Sequence, residues 1–439
     1  MLRRGEAQRL SGPSLNRRRL LGASVFALAG CAYSPNAPQG VTPARVVVLG
    51  GGFAGATCAR TIAAIAPEHR VSLIEPNRTY TACPFSNLVI AGMRDLSAQQ
   101  FGYETLAAAG VDVIHARALD VDSVRRFVVL EDGQRLAYDR LIMAPGIEVR
   151  LDALPGYDAQ AAGLLPHAWQ AGAQTLLLAR QLSAMPQGGV VALAVPQAPY
   201  RCPPGPYERA SLIAAYLQQH NPTAKLLILD SKDRFSKQPL FEQAWRRHYG
   251  AMIEWRGASD GAAVVEIDAP ARRLLTDFDD IRVDVANVIP PQRAGAIARR
   301  AGVADASGWC PIEPATFASR LQDHVHVIGD AAIANAMPKS AFAANAQARL
   351  CALQVVRDLS DSNSAEQPLS AKLLNTCYSF VKRDEAISVA GVYRPTPTAW
   401  QEIDGAGGFS PIDAPDAVRR AEARYAVGWF DHLTRSVFG

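Results

Sequence analysis

The 439-residue chain predicts an α/β protein built on two strand–helix–strand domains, from three observations. Arg45 to Leu49 is a short β-branched run that passes through a glycine cluster into a helical stretch, Ala56 to Ala66. A second alternation lies far downstream: strand Gly188 to Val195, helix Pro206 to Gln219 and strand Leu226 to Asp230. About half the residues are apolar, and the chain is too long for one ordinary core, so two or three domains are expected.

The first thirty residues hold Arg3, Arg4, Arg9, Arg17, Arg18 and Arg19 against Glu6 alone, although the whole chain carries a formal charge of only +4. The remainder is slightly acidic and lacks the basic field that nucleic acid would need. Asn16-Arg17-Arg18-Arg19-Leu20-Leu21 places paired arginines before an apolar run, Leu20 to Gly30, too short to span a bilayer. Residues 1–31 therefore read as an export signal, either of twin-arginine type or an ordinary secretory signal with an arginine-rich start. Both end outside the cytoplasm, so a periplasmic location is expected. The run closes on Leu28-Ala29-Gly30-Cys31, which resembles the lipobox of bacterial lipoproteins and would make Cys31 a lipid anchor; the alternative is cleavage beyond it. Residues 32–43, with Pro, Asn and Gln, read as a tether. Outside the cytoplasm, the seven cysteines are free to form disulfides.

Gly50-Gly51-Gly52-Phe53-Ala54-Gly55 fits G-x-G-x-x-G. A strand precedes it, a helix follows, and a second strand, Val71 to Ile74, ends at Glu75. That is the context of a Rossmann-like dinucleotide fingerprint. Gly50, Gly52 and Gly55 let the backbone approach a pyrophosphate at a helix N-terminus, and Glu75 is placed to bond ribose hydroxyls.

Two distant segments favour FAD over NAD. Tyr138 to Gly146 resembles the strand and turn that return to the nucleotide in flavoproteins with two dinucleotide-binding domains. Val325-His326-Val327-Ile328-Gly329-Asp330 resembles their late motif, whose aspartate binds the ribityl chain. The resemblance to this glutathione-reductase-like architecture implies an FAD-binding domain in two parts, 44–155 and 291–365, contacting the cofactor at Gly146 and Asp330. It implies a second dinucleotide-type domain over 156–290 and a C-terminal α+β domain, 366–439, that covers the flavin and offers an interface. Where a nicotinamide-using relative carries a second glycine loop, this chain reads Pro196 to Pro206, whose prolines lack the N–H donors a pyrophosphate requires.

Thr81 to Asn87, Tyr200 to Ser211, Ile289 to Gly295, Gly308 to Pro311 and Leu374 to Ser379 resemble the flavin subunit of flavocytochrome c sulfide dehydrogenase, from about Arg45 to Gly439. The resemblance implies that Cys83 is joined through sulfur to the 8α-methyl of FAD. It implies that Cys202 and Cys377 form a redox disulfide beside the flavin, which hydrosulfide attacks. The electrons would pass to FAD and then to haem. No C-x-x-C-H occurs in the chain, so haem is expected only on a partner, a c-type cytochrome subunit.

Cys58 and Cys351 read as packed residues on helices, Cys310 as a residue at a strand start with no assigned chemistry, and Trp309 as core. His167, His248, His324 and His326 share no metal spacing and are expected to be solvated or capping; no metal site is expected. Three rival readings remain. A sulfide:quinone oxidoreductase would want an amphipathic membrane helix within residues 415–439, where Arg419, Arg420, Glu422, Arg424 and Asp431 mix with Tyr425, Trp429 and Phe430. An NADH-dependent disulfide or ferredoxin reductase would want a second glycine loop. A non-catalytic flavin-binding protein would have no chemical need for Cys83, Cys202 and Cys377 together.

Overall fold

A computed structural model of the chain describes residues 43–360 and 371–439. The export signal, Cys31 and all but the last residue of the tether lie outside the described residues.

Strand β1 (Arg45–Leu49) is buried from Val46 onward, as a strand flanked on both sides by parallel neighbours must be. It leads into α1 (Phe53–Ile65), which begins at Phe53 rather than Ala56 and so takes Gly55 into its first turn. Strands β2 (Arg70–Ile74), β3 (Asp112–Ile114) and β4 (Arg140–Met143) extend the parallel sheet. Three antiparallel strands over residues 118–137 form a meander between β3 and β4. The same plan then repeats. Strand β5 (Val190–Val195), α2 (Gly205–His220), β6 (Lys225–Asp230), α3 (Gln238–His248), β7 (Ile253–Arg256), a second meander over residues 264–282 and β8 (Val285–Val288) make a parallel sheet in the order β7-β6-β5-β8. Strand β9 (Val325–Val327) returns to the first sheet beside β4, giving β9-β4-β1-β2-β3, and α4 (Ala341–Ser360) follows.

In each sheet the first strand lies between its second and its return strand, so the chain reverses direction across the sheet at the C-terminal ends of β1 and β5. Such switch points open a crevice where ligands bind.

The last part is a hairpin of β10 (Leu373–Lys382) and β11 (Glu385–Pro395), extended by β12 (Trp400–Glu402), and a helix, α5 (Asp416–Phe438). Helix α5 packs on β11 and α1. Its apolar stripe is seated by rings: Phe430 stacks on Phe85 at 4.6 Å, and Phe438 on Tyr80 at 5.2 Å and Phe101 at 5.4 Å. Arg60 Nη1 on α1 donates to Gly439 O at 2.8 Å, which satisfies a carbonyl at the helix end. The apolar stripe of α5 is thus spent on the protein's own core, and not left free as the rival quinone reading would want. Among the described residues no helix is long and apolar enough to cross a membrane.

Candidate active site

A cavity of about 400 Å³ lies where the C-terminal ends of β1 and β4 meet the N-terminal ends of α1 and α4. Gly50 has φ +97°, and a Cβ there would stand 2.4 Å from Ala144 O. A Cβ on Gly55 would stand 1.8 Å from Gly50 O, so the turn closes only with glycine at both. The N-terminus of α1 has no capping side chain and no acid in its first turn, leaving its N–H groups for an anion. Glu75 closes the far side: its Oε2 accepts from Gly51 N at 2.9 Å and its Oε1 from Asn77 N at 3.0 Å.

At the other end Asp330 follows β9 in a short turn. Its Oδ1 is buried without a partner, and burial holds its pKa above the usual carboxylate range against the opposing charges of Arg201 and Lys339. Lys339 donates Nζ to the main-chain carbonyls of Asp330 at 2.7 Å and Ala332 at 2.8 Å, under the Trp309 ring at 3.9 Å. Burial lowers that ammonium to about 8. The glycine cradle, the open helix N-terminus, the ribose-side acid and the orphaned carboxylate oxygen fit the diphosphate, ribose and ribityl parts of FAD. Gly50, Gly52, Glu75, Cys83, Gly146 and Asp330 all line this cavity; Gly55 supports it from within α1.

Cys202 and Cys377 line the same cavity, from the loop before α2 and from β10. Both are free thiols in the structure. Cys202 sits at φ +57°, a left-handed position uncommon for a residue with a Cβ, and is held there by its N–H to Lys339 O at 2.8 Å. Burial, then Cys377 and Glu208, push its thiol up. Cys377 Sγ lies 3.4 Å from Asn375 Nδ2, and Asn375 Oδ1 accepts from Ser340 Oγ at 2.6 Å. The Glu208 carboxylate accepts from Phe380 N at 2.9 Å and Asn87 Nδ2 at 3.0 Å, while burial holds its pKa high.

The second crevice, beyond β5, is filled. Asp230, at the end of β6, is fully buried; it accepts from Lys232 Nζ at 2.5 Å, Tyr207 OH at 2.6 Å and Trp255 Nε1 at 3.1 Å. Phe235 stacks on Tyr207 at 3.7 Å. Helix α2 has Pro206 at its second position and Glu208 in its first turn, opposite to what a phosphate needs.

Cys58, Cys310, Cys351 and Trp309 are buried. The histidines depart from expectation. His326 is buried on β9, its ring bonded to Thr316 O at 3.1 Å, because both faces of that strand are covered. His167 is buried too, although its Nδ1 accepts from Trp169 N at 3.0 Å and so does cap a turn. His248 meets Glu385 at 3.0 Å and His324 meets Arg140 at 3.1 Å. No metal-ligand cluster occurs among the described residues.

Family models match three parts of the chain. These are pyridine nucleotide-disulphide oxidoreductase over residues 44–181, the central part of the sulfide dehydrogenase [flavocytochrome c] flavoprotein chain over 175–290, and flavocytochrome c sulphide dehydrogenase, flavin-binding, over 370–438. The sulfide dehydrogenase [flavocytochrome c] flavoprotein chain of Chlorobaculum thiosulfatiphilum is 49% identical over 45 residues, which are 10% of this chain and 94% of that sequence. The chain belongs to the flavocytochrome c sulfide dehydrogenase flavoprotein family. The mitochondrial sulfide:quinone oxidoreductase of Mus musculus is 22% identical over 308 residues; the match covers 65% of each chain, just under two thirds of that relative's length. In structure, the sulfide:quinone oxidoreductase of Aquifex aeolicus superposes with a TM-score of 0.65 at 15% identity over 90% of this chain and 92% of that one, which shows the shared two-domain flavoprotein fold. As a member of this flavoprotein family the chain binds FAD, and the lining of the cavity described fits that cofactor.

Several side chains around that cavity in the family frame were not singled out from sequence: Asn87, Trp169, Glu208, Arg209, Lys237 and Lys339. Glu208 and Arg209 lie inside the Tyr200 to Ser211 segment that marks the family, and two adjacent charges on an otherwise apolar helix were a readable signal. Lys237 carried none, since a lysine after a polar turn reads as surface.

Proposed function

We propose that the protein is an FAD-dependent sulfide dehydrogenase that takes electrons from hydrosulfide and passes them to a c-type cytochrome partner bearing the haem. The observation that carries this reading is the convergence of Cys202 and Cys377, from two different parts of the fold, on the wall of the dinucleotide cavity. The blocked second crevice supports it, because nicotinamide is then disfavoured as the source of electrons. The structure holds Cys202 and Cys377 as free thiols, the reduced form of the pair; in the oxidised resting enzyme they form a bridge. Hydrosulfide, a strong nucleophile, attacks one sulfur and leaves a persulfide there, while the other leaves as a thiolate. FAD, when bound, supplies an acceptor for this electron pair and can release electrons singly. Cys83, on the same wall, tethers FAD through a thioether.

The test is anaerobic addition of sulfide to the holoprotein, followed by flavin absorbance. Full bleaching, then re-oxidation by oxidised cytochrome c, supports the reading; a flavin that sulfide leaves oxidised ends it. Quinone as the acceptor is a second reading, supported by the likeness to sulfide:quinone oxidoreductases, and a soluble quinone analogue assayed beside cytochrome c separates the two. Acid precipitation tests the tether, because flavin released wholly into the supernatant removes Cys83 from that role. The twin arginines and Leu28-Ala29-Gly30-Cys31 support periplasmic export with lipid on Cys31, and the mass of the mature N-terminus decides between an anchored and a free form.

A further inference from the structure

Lys237 stands just before α3 and is 3% exposed. Its backbone is left-handed, with φ +64°. Its Nζ donates to Ser379 Oγ at 2.8 Å and to Cys377 O at 3.2 Å, with Ile387 O at 3.5 Å. Among the described residues no carboxylate pairs with it within 4.0 Å, in contrast to Lys232, which meets Asp230. An ammonium taken out of water and bonded only to neutral oxygens is costly unless some negative charge nearby compensates it. The anionic groups whose fields reach it are Cys377 on β10 first, then Glu208 and Cys202 around the start of α2, then Glu422 on α5. Arg209, the next cation, is engaged by Asn87, His167, Ala168 and Asn287, and Arg201 faces Cys83 and Asp330; the fields of both also reach Cys202, but neither is bonded to the Cys377 main chain.

We propose that Lys237 is the positioning cation of the redox pair, held on the Cys377 main chain so that Cys377 rather than Cys202 takes the negative charge when the bridge opens. This rests on the sulfide reading above. The step balances as follows: HS⁻ forms a bond to Cys202 Sγ, the Cys202–Cys377 S–S bond breaks, and its electron pair leaves on Cys377 Sγ. The products are a Cys202 persulfide and a Cys377 thiolate, one negative charge before and after. Thiol–disulfide exchange runs fastest when the leaving sulfur carries its charge well. Burial, Cys377 and Glu208 disfavour a thiolate at Cys202 by more than Lys237 and Arg201 favour it, whereas Cys377 has the ammonium on its own carbonyl.

A lysine that merely ties α3 to β10 would leave thiol acidity untouched, and the experiment turns on that difference. The FAD-loaded protein is reduced with a small dithiol, freed of it without oxygen, and alkylated with iodoacetamide from about pH 6 to about pH 10; peptide masses report Cys377 and Cys202 separately. In Lys237→Met the Cys377 midpoint is expected to rise by roughly 1 to 2 pH units, with sulfide bleaching of the flavin slowed about tenfold or more. Lys237→Arg, which restores the charge, should bring the midpoint back to within about half a unit. Should Lys237→Met not fold, Ser379→Ala removes one holder of the ammonium and should move the Cys377 midpoint upward by a smaller amount. A Cys377 midpoint unmoved in a folded variant overturns the proposal. A wild-type flavin that sulfide cannot bleach, with the midpoint shifted in Lys237→Met, sinks the sulfide reading and leaves Lys237 its electrostatic role.

Discussion

Replacing Arg209 with methionine should cost about 3–5 kcal/mol, because one buried guanidinium ties the His167–Ala168 main chain to Asn87 and Asn287. It is 2% exposed and makes four hydrogen bonds: Nε to Asn87 Oδ1 at 2.9 Å, Nη1 to Asn287 Oδ1 at 2.7 Å and His167 O at 3.1 Å, and Nη2 to Ala168 O at 2.7 Å. Trp169 lies across it at 4.9 Å. Burial lowers its pKa to about 10, which still leaves it charged at neutral pH. Methionine keeps the length and fills the space but satisfies none of the four acceptors. Each buried acceptor left unpaired costs about 1–3 kcal/mol. Asn287 Nδ2 still holds Pro166 O and His167 O, both at 2.7 Å, so the loop is not released entirely and the sum stays below the additive limit. Lysine in its place keeps the charge without the planar fork and should recover less than half of the loss. Urea unfolding of the holoprotein, followed by tryptophan fluorescence, measures this. A loss under about 1 kcal/mol for Arg209→Met would show that these hydrogen bonds merely replace equivalent ones to water.

Four further outcomes are expected. Gly55→Ala puts a methyl into Gly50 O at 1.8 Å, so the purified protein should hold little FAD, and full flavin content in that variant would remove the cradle argument. Cys202→Ser and Cys377→Ser should each slow sulfide bleaching by orders of magnitude with FAD retained; unchanged bleaching of the folded fraction in both would leave the pair a structural role. NADH at millimolar concentration should not reduce the flavin, and rapid reduction would show that the second crevice opens. His326 is held neutral by burial, its pKa lowered to about 4 from an ordinary 6.5. The unfolded chain therefore binds the proton first, and stability is lost as pH falls from about 6.5 to about 4, by about 1.4 kcal/mol per unit for this one group. His326→Gln should flatten urea midpoints across that window, and an unchanged slope would mean that the ring is already charged in the fold.

The first nucleotide motif was readable because all its parts are local. Strand, glycine turn, helix and the acid at Glu75 fall within thirty-one residues, so periodicity and glycine placement suffice without tertiary knowledge. The blocked second crevice was half readable: prolines in 196–206 announced missing donors, but the filling of the space by Tyr207, Phe235 and Trp255 around Asp230 depends on residues spread over three elements. Cys202 and Cys377 had no local signature as a pair, and only a family resemblance joined them. The burial of Lys237 and His326 is hidden from sequence for one physical reason. Residue type predicts exposure on average, whereas burial here follows from what covers each position: the β10–β11 hairpin over Lys237, and a strand with no free face under His326.

The two halves of the fold share a plan and differ at one place, which explains how a dinucleotide-domain protein can present sulfur to its cofactor. At the end of β1 the turn is glycine, the helix N-terminus is bare, and the crevice stays open. At the end of β5 the loop is proline-rich, α2 opens with proline and an acid, and Asp230, the residue placed to meet a ribose, spends both oxygens on Lys232, Tyr207 and Trp255. A crevice closed in this way no longer needs its loop to wrap a phosphate. The loop can instead cross to the first domain, where the Cys202 N–H is fixed on Lys339 O, and Lys339 in turn holds the carbonyl of Asp330. Cys202 is thereby referenced to the same short turn that carries the ribityl-side aspartate. Under the proposed function, these two hydrogen bonds fix Cys202 relative to the bound flavin, which is the constraint a sulfur reacting beside it requires.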